Sequence, residues 1–193
     1  MPDIERHPLE PFLPSGACVL MLGSFPPPRR RWSMDFFYPN FQNDMWRILG
    51  LLFFGDKLHF VDGTRFDRGR IVDFCTQQGI ALFDTATAVR RLKENASDQF
   101  LEVVEPTDVA ALLHRIPTCR TVVVTGGKAA ATVLGSLGCA AQCEPKVGEC
   151  TDFCFEGRPM QLWRMPSSSR AYPLALEKKA AFYRRLFAEV GML

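Results

Sequence analysis

The stretch from Gly23 to Trp46 gathers side chains suited to holding a nucleotide. Pro26, Pro27 and Pro28 stiffen a loop, Arg29, Arg30 and Arg31 make it basic, and Phe36, Phe37 and Tyr38 supply aromatic faces. The competing reading is that the prolines set a turn and the aromatics fill core. Asn43 and Trp46 lie three residues apart near a helix start, where an amide could point back into a crevice. Spacing alone favours a plain helix-start cap for Asn43. Asp84 directly follows the apolar run Ile80 to Phe83, and a carboxylate there can face the same crevice or close an Asx-turn. Gly126-Gly127-Lys128 joins a strand to a helix and could offer backbone N–H groups and an ammonium to a phosphate. It lacks the Ser or Thr that follows the lysine of a P-loop, and a tight packing turn explains it almost as well. A second loop, Met165 to Pro173, carries Ser167, Ser168, Ser169, Arg170 and Tyr172.

These residues need strands to present them. Ala17 to Leu22 is a short continuous apolar run ended by glycine, the pattern of a central strand buried on both faces. Ile80 to Phe83 and Thr121 to Thr125 read likewise, and Phe153 to Phe155 with Met160 to Arg164 read as a hairpin. Helical spacing covers the segment from Phe41 through Phe53, more weakly Arg68 to Gln78, then the segment opened by Pro106 and the segment Ala129 to Leu137. A last helix buries Leu176, Ala180, Tyr183, Leu186, Phe187 and Val190, with Lys178, Lys179, Arg184 and Arg185 expected outside. Val89 to Gln99 is polar and reads as a surface loop or short helix. Strands alternating with helices make the class α/β, and in such sheets ligands bind beyond the carboxyl ends of the strands, where the proline loop, Asp84 and the serine loop all fall.

A chain of 193 residues suits one domain with a single core, and the net charge of +2 is too small to announce a nucleic-acid partner by itself. No apolar run reaches a membrane span, and Met1 to Glu10 is too polar for a signal peptide, so the expectation is a cytoplasmic protein. Most of the seven cysteines, in a chain without export signals, are expected to be reduced. Cys139, Cys143, Cys150 and Cys154 could in principle hold zinc or an iron–sulfur cluster, but they lack the two-residue knuckles of common zinc sites, so no metal is assigned.

Taken in order, the motifs resemble those of the uracil-DNA glycosylase superfamily, and are most similar to its mismatch-specific and hypoxanthine-DNA glycosylase branches. Gly23-Ser24-Phe25-Pro26 resembles the first motif, Asn43-Asp44-Met45-Trp46 the Asn-x-Phe-Trp that follows it, and Met165-Pro166-Ser167-Ser168-Ser169 the Leu-Pro-Ser-x-Ser of the second. Gly79 to Asp84, Arg91 to Asp98 and Gly127-Lys128-x-Ala are supporting matches. The resemblance implies one domain, a three-layer α/β/α sandwich around a mostly parallel sheet of four or five strands. It also implies a monomeric, cofactor-free glycosylase that flips a deaminated base out of DNA and hydrolyses its N-glycosidic bond.

Within that likeness, Phe25 stands where uracil-excising branches usually place the amide or acid that activates water. The water then falls to Asn43, with Asp84 behind it, although Tyr38-Pro39-Asn40-Phe41-Gln42-Asn43 replaces the family's His-Pro-x-Asn. Met165 stands where some relatives carry a base-reading asparagine. Phe36 or Phe37 would stack on the base, and Gly23, Ser24, Phe25, Pro26 and Tyr38 would complete the pocket. Arg29, Arg30, Arg31, Lys128 and the three serines would contact phosphates, and Arg170 or Tyr172 would fill the gap in the stack. Two other readings stay open: a DNA-binding module that kept the fold without the chemistry, and an enzyme acting on free nucleotides.

Overall fold

Three strands are buried along their whole length, as continuous apolar runs are when both faces of a sheet are covered. The computed structural model describes residues 3–92, 100–137 and 144–193. In chain order the strands and helices are β1 (Ile4–Arg6), β2 (Val19–Gly23), α1 (Met45–Phe54), β3 (Val61–Asp62), β4 (Arg65–Phe66), α2 (Arg68–Gln78), β5 (Ile80–Asp84) and β6 (Ala86–Arg91). There follow β7 (Leu101–Pro106), α3 (Val109–Arg115), β8 (Thr121–Thr125), α4 (Gly127–Ser136), β9 (Glu149–Phe155), β10 (Arg158–Met165) and α5 (Leu176–Glu189).

The central sheet has five strands in the order β5-β2-β8-β10-β9, parallel except for the edge strand β9. Parallel crossovers are right-handed. The chain steps one way from β2 to β5 and the other way from β5 to β8, so α1 and α2 cover one face and α3 and α4 the other. The fifth helix packs on α1 and completes the three layers. That reversal of direction puts a topological switch point at the carboxyl end of β2, where a crevice opens between loops that leave in opposite directions. Register brings the strand ends level: Gly23 pairs with Asp84, and Thr125 with Met165.

The sequence reading is corrected at β6. The stretch expected to begin a surface loop or short helix forms instead the middle of a second sheet, β1-β6-β7, as far as Arg91, and residues 93–99 lie outside the described ones. Its charges misled: Arg90 pairs with Glu102 on β7 at 2.8 Å, and Arg91 with Glu5 on β1 at 3.0 Å. Cross-strand acids thus make a strand of a segment that looks polar by itself. Lys179, expected on the outside of α5, is wholly buried. No helix among the described residues is long and apolar enough to cross a membrane.

Candidate active site

A cavity of about 110 Å³ opens at the carboxyl ends of β2, β5, β8 and β10. Ten of the residues given a catalytic or binding part from the sequence line it: Gly23, Ser24, Phe25, Pro26, Tyr38, Asn43, Asp84, Ser167, Ser168 and Ser169. Pro27, Pro39, Asn40 and Thr125 complete the wall. Stretches separated by over a hundred residues of sequence meet here because the parallel register ends their strands at one level.

Asp84 is the carboxylate of this cavity and is buried. Its Oδ2 lies 2.9 Å from Nε2 of His7, whose side chain is 3% exposed. Its Oδ1 lies against Gly23, where any β-carbon would collide with it, so glycine is required for the carboxylate to stand here. The main-chain carbonyl of Asp84 accepts from Thr107 Oγ1 at 2.7 Å, and Thr85 N–H donates to Gly23 O at 2.8 Å. Tyr38 adopts a left-handed backbone conformation, φ 49°, unusual for a bulky residue, and lines the cavity with its ring. Its hydroxyl has Thr125 as polar neighbour but makes no hydrogen bond of normal geometry among the described residues. Burial raises the phenol's pKa above the ordinary tyrosine value, and the negative charge of Asp84 adds to the effect.

Asn43 meets both of its sequence readings. It lines the cavity, and its Oδ1 accepts from the Met45 N–H at 2.8 Å, closing the entrance of α1. That bond fixes the plane of the amide, whose NH2 group remains as a donor.

The serine loop is tied from behind by a buried ion cluster that the sequence did not announce. Asp44 N–H donates to Ser168 O at 2.9 Å. The Asp44 carboxylate takes Lys179 Nζ at 2.9 Å and Arg170 Nε at 3.2 Å, and Lys179 also donates to Ser169 O at 2.7 Å. Tyr183 Oη donates to Pro166 O at 3.1 Å. Within the loop, Ser167 Oγ accepts from Ser169 N–H and Ser169 Oγ from Ala171 N–H, each at 3.2 Å. α1 and α5 thereby fix the backbone of the loop.

Other expected site residues stand apart from the cavity. Phe36 and Phe37 are buried in the main core, Phe36 against Trp46 and Phe12, so the aromatic faces at the cavity belong to Phe25 and Tyr38 instead. Lys128 spends its ammonium on Leu101 O at 2.6 Å, tying α4 to β7. Arg29, Arg30 and Arg31 form an exposed single turn, with Arg29 paired to Asp35 and laid over the Trp32 ring at 4.2 Å. Arg170 is exposed, and its guanidinium faces Asp44; Tyr172 is half-buried outside the cavity. Cys150 and Cys154 are free thiols on β9, while Cys139 and Cys143 lie outside the described residues. Among the described residues no group of three or more His, Cys, Asp and Glu side chains is placed to hold a metal ion.

His7 is the site residue that sequence reasoning passed over. A lone histidine in a polar opening segment carries no spacing signal, and it is long-range strand pairing, β1 with β6, that helps bring it to Asp84.

No protein-family model matches the chain, and no curated protein does. Among solved structures it is similar to the solution NMR structure of a putative uracil DNA glycosylase from Methanosarcina acetivorans, with a TM-score of 0.61 and 22% sequence identity over 95% of this chain and 99% of that one. At that identity the likeness speaks for the fold, and over nearly its whole length this chain has a uracil-DNA-glycosylase-like α/β fold.

Proposed function

We propose that this protein is a DNA glycosylase that hydrolyses the N-glycosidic bond of a flipped-out deaminated base, hypoxanthine, xanthine or uracil. The observation that carries the reading is the Asp84 carboxylate, buried in a cavity at the switch point of the sheet with one oxygen on His7 and the other against Gly23. Serine hydroxyls stand on the opposite rim and a basic turn lies outside, an arrangement suited to a phosphate backbone that delivers one base inward.

In this scheme a base leaves the duplex at a cost of a few kcal/mol and stacks on Phe25 or Tyr38. As the C1′–N bond breaks, its electron pair goes to the base and the sugar gains oxocarbenium character. Water adds to C1′ and gives a proton to Asp84 Oδ1, and Asn43 donates through its NH2 to the departing base. Asp84 thus supplies the water-activating group that Phe25 cannot. Asn43 takes the part of charge stabilisation, its amide plane fixed by the Met45 N–H on its carbonyl oxygen.

The test is base release from end-labelled oligonucleotides carrying uracil, hypoxanthine, xanthine or mismatched thymine, single- and double-stranded, with alkali to cut abasic sites. Release that Asp84→Asn abolishes and Asn43→Ala lowers is the expected result. Salt-dependent DNA binding with no release from any lesion would replace the enzyme by a binding module on the same fold.

A further inference from the structure

The route by which His7 reaches Asp84 is over-determined. Strand β1 pairs antiparallel with β6, and His7 N–H continues the ladder to Thr87 O at 2.8 Å. Five residues later Phe12 forms a two-way bridge with Leu82, N–H to O at 3.0 and 2.9 Å, so the opening segment crosses the free edge of β5. Between these anchors the imidazole is enclosed by the rings of Phe25, Phe37 and Phe83, at centroid distances of 5.4, 6.3 and 4.7 Å.

The ring's two nitrogens are asymmetric in what they meet. A carboxylate only accepts, so the proton facing Asp84 Oδ2 sits on Nε2. Nδ1 has both the Leu9 N–H, at 3.2 Å, and the Leu9 carbonyl, at 2.9 Å, within reach. A neutral ring can accept from the first and a cationic ring can donate to the second. The Nε2–H bond to Asp84 is therefore kept in either charge state.

We propose that His7 is the positioning residue of Asp84. Its Nε2–H fixes the plane of the carboxylate by holding Oδ2, and so turns Oδ1 over Gly23 toward the cavity, where it meets the attacking water. His7 itself touches neither base nor sugar and keeps its proton throughout. The inference rests on the reading of Asp84 as the group that takes the water's proton.

Single-turnover base release and DNA affinity, measured side by side for wild type, Asp84→Asn, His7→Ala and His7→Gln, decide it. His7→Ala is expected to lower the rate about a hundredfold, the scale of losing alignment at a reacting group, while leaving DNA affinity unchanged. His7→Gln, whose amide NH2 can still donate to Oδ2, is expected to recover much of the loss, as is free imidazole added to His7→Ala. A His7→Ala rate equal to wild type beside an inactive Asp84→Asn overturns the positioning role and leaves the glycosylase reading standing. A loss that neither glutamine nor imidazole restores, with a lowered unfolding midpoint, makes His7 a structural residue only. A wild type that releases no base from any lesion overturns both readings.

Discussion

The loop that leaves β2 supplies both a wall of the cavity and the arginine turn, yet the two regions are held in opposite ways. At the cavity the main anchors come from other elements of the fold: Asp84 is held by His7, and the serine loop by Asp44 and Lys179. On the turn, Arg29 is held by near neighbours, Asp35 and Trp32, and all three arginines face solvent. Charges in a low-dielectric interior are costly to leave unpaired, whereas exposed pairs are screened and contribute little. Substitution in the first region should therefore change rate or stability, and in the second mainly the salt dependence of binding.

The largest effect belongs to Asp84. Asp84→Asn keeps the shape but cannot take a proton, so base release in single turnover should fall about 10²- to 10⁴-fold with DNA affinity little changed. Undiminished release would end the role of the β5 terminus in the chemistry. Next comes Lys179→Met, which leaves the Asp44 carboxylate buried with only the half-exposed Arg170 as ionic partner. Denaturant unfolding should show a loss of about 3–5 kcal/mol, the usual cost of breaking a buried pair from one side, and adding Asp44→Asn should return part of it. A single variant as stable as wild type would show that the cluster behind the serine loop is not what holds it.

The same interior has a pH signature. Burial raises the ionisation of Tyr38 and of Tyr183 above the ordinary tyrosine value in the folded protein. The folded state therefore keeps protons that the unfolded state releases at high pH. Stability from these two groups is fully present below about pH 10 and is lost as the pH climbs past it. Unfolding midpoints taken at about pH 9 and about pH 11 should differ in that direction, and ultraviolet titration should show these two phenols ionising late. Equal midpoints would count against the enclosure of the Tyr38 hydroxyl beside Asp84.

Much of this was legible in the chain because strand and loop signals are local. Thr121 to Thr125 and Ile80 to Phe83 declare themselves by continuous apolarity, and the residue at each strand's carboxyl end follows from that. What stayed hidden depends on partners that no local window contains. Arg90 and Arg91 looked like a wet loop until Glu102 and Glu5 were placed across from them. Lys179 fell on the polar side of a helical pattern, and its burial follows from Asp44, 135 residues earlier in the chain. Phe36 and Phe37 had the composition of a stacking platform but also of core, and packing against Trp46 and Phe12 takes Phe36 into it. His7 had no signal of any kind before β1 found β6.

The arginine turn should give the smallest change in rate and stability and the clearest change in salt response. Removing one cation that neutralises a phosphate flattens the dependence of log affinity on log salt by about 0.9. Arg29 already shares its charge with Asp35, so the counterions it displaces on binding are fewer than for an isolated cation. Replacing Arg29, Arg30 and Arg31 together by alanine should therefore flatten the slope by less than the full value for three neutralised phosphates, about 2.7. Asp35→Ala should act in reverse and steepen it by releasing Arg29 to the DNA. Single-turnover release at saturating protein should change far less in the triple variant than in Asp84→Asn. A triple variant with an unaltered slope would remove the turn from the DNA interface, and one that lost the chemical step as completely as Asp84→Asn would erase the distinction between the two regions.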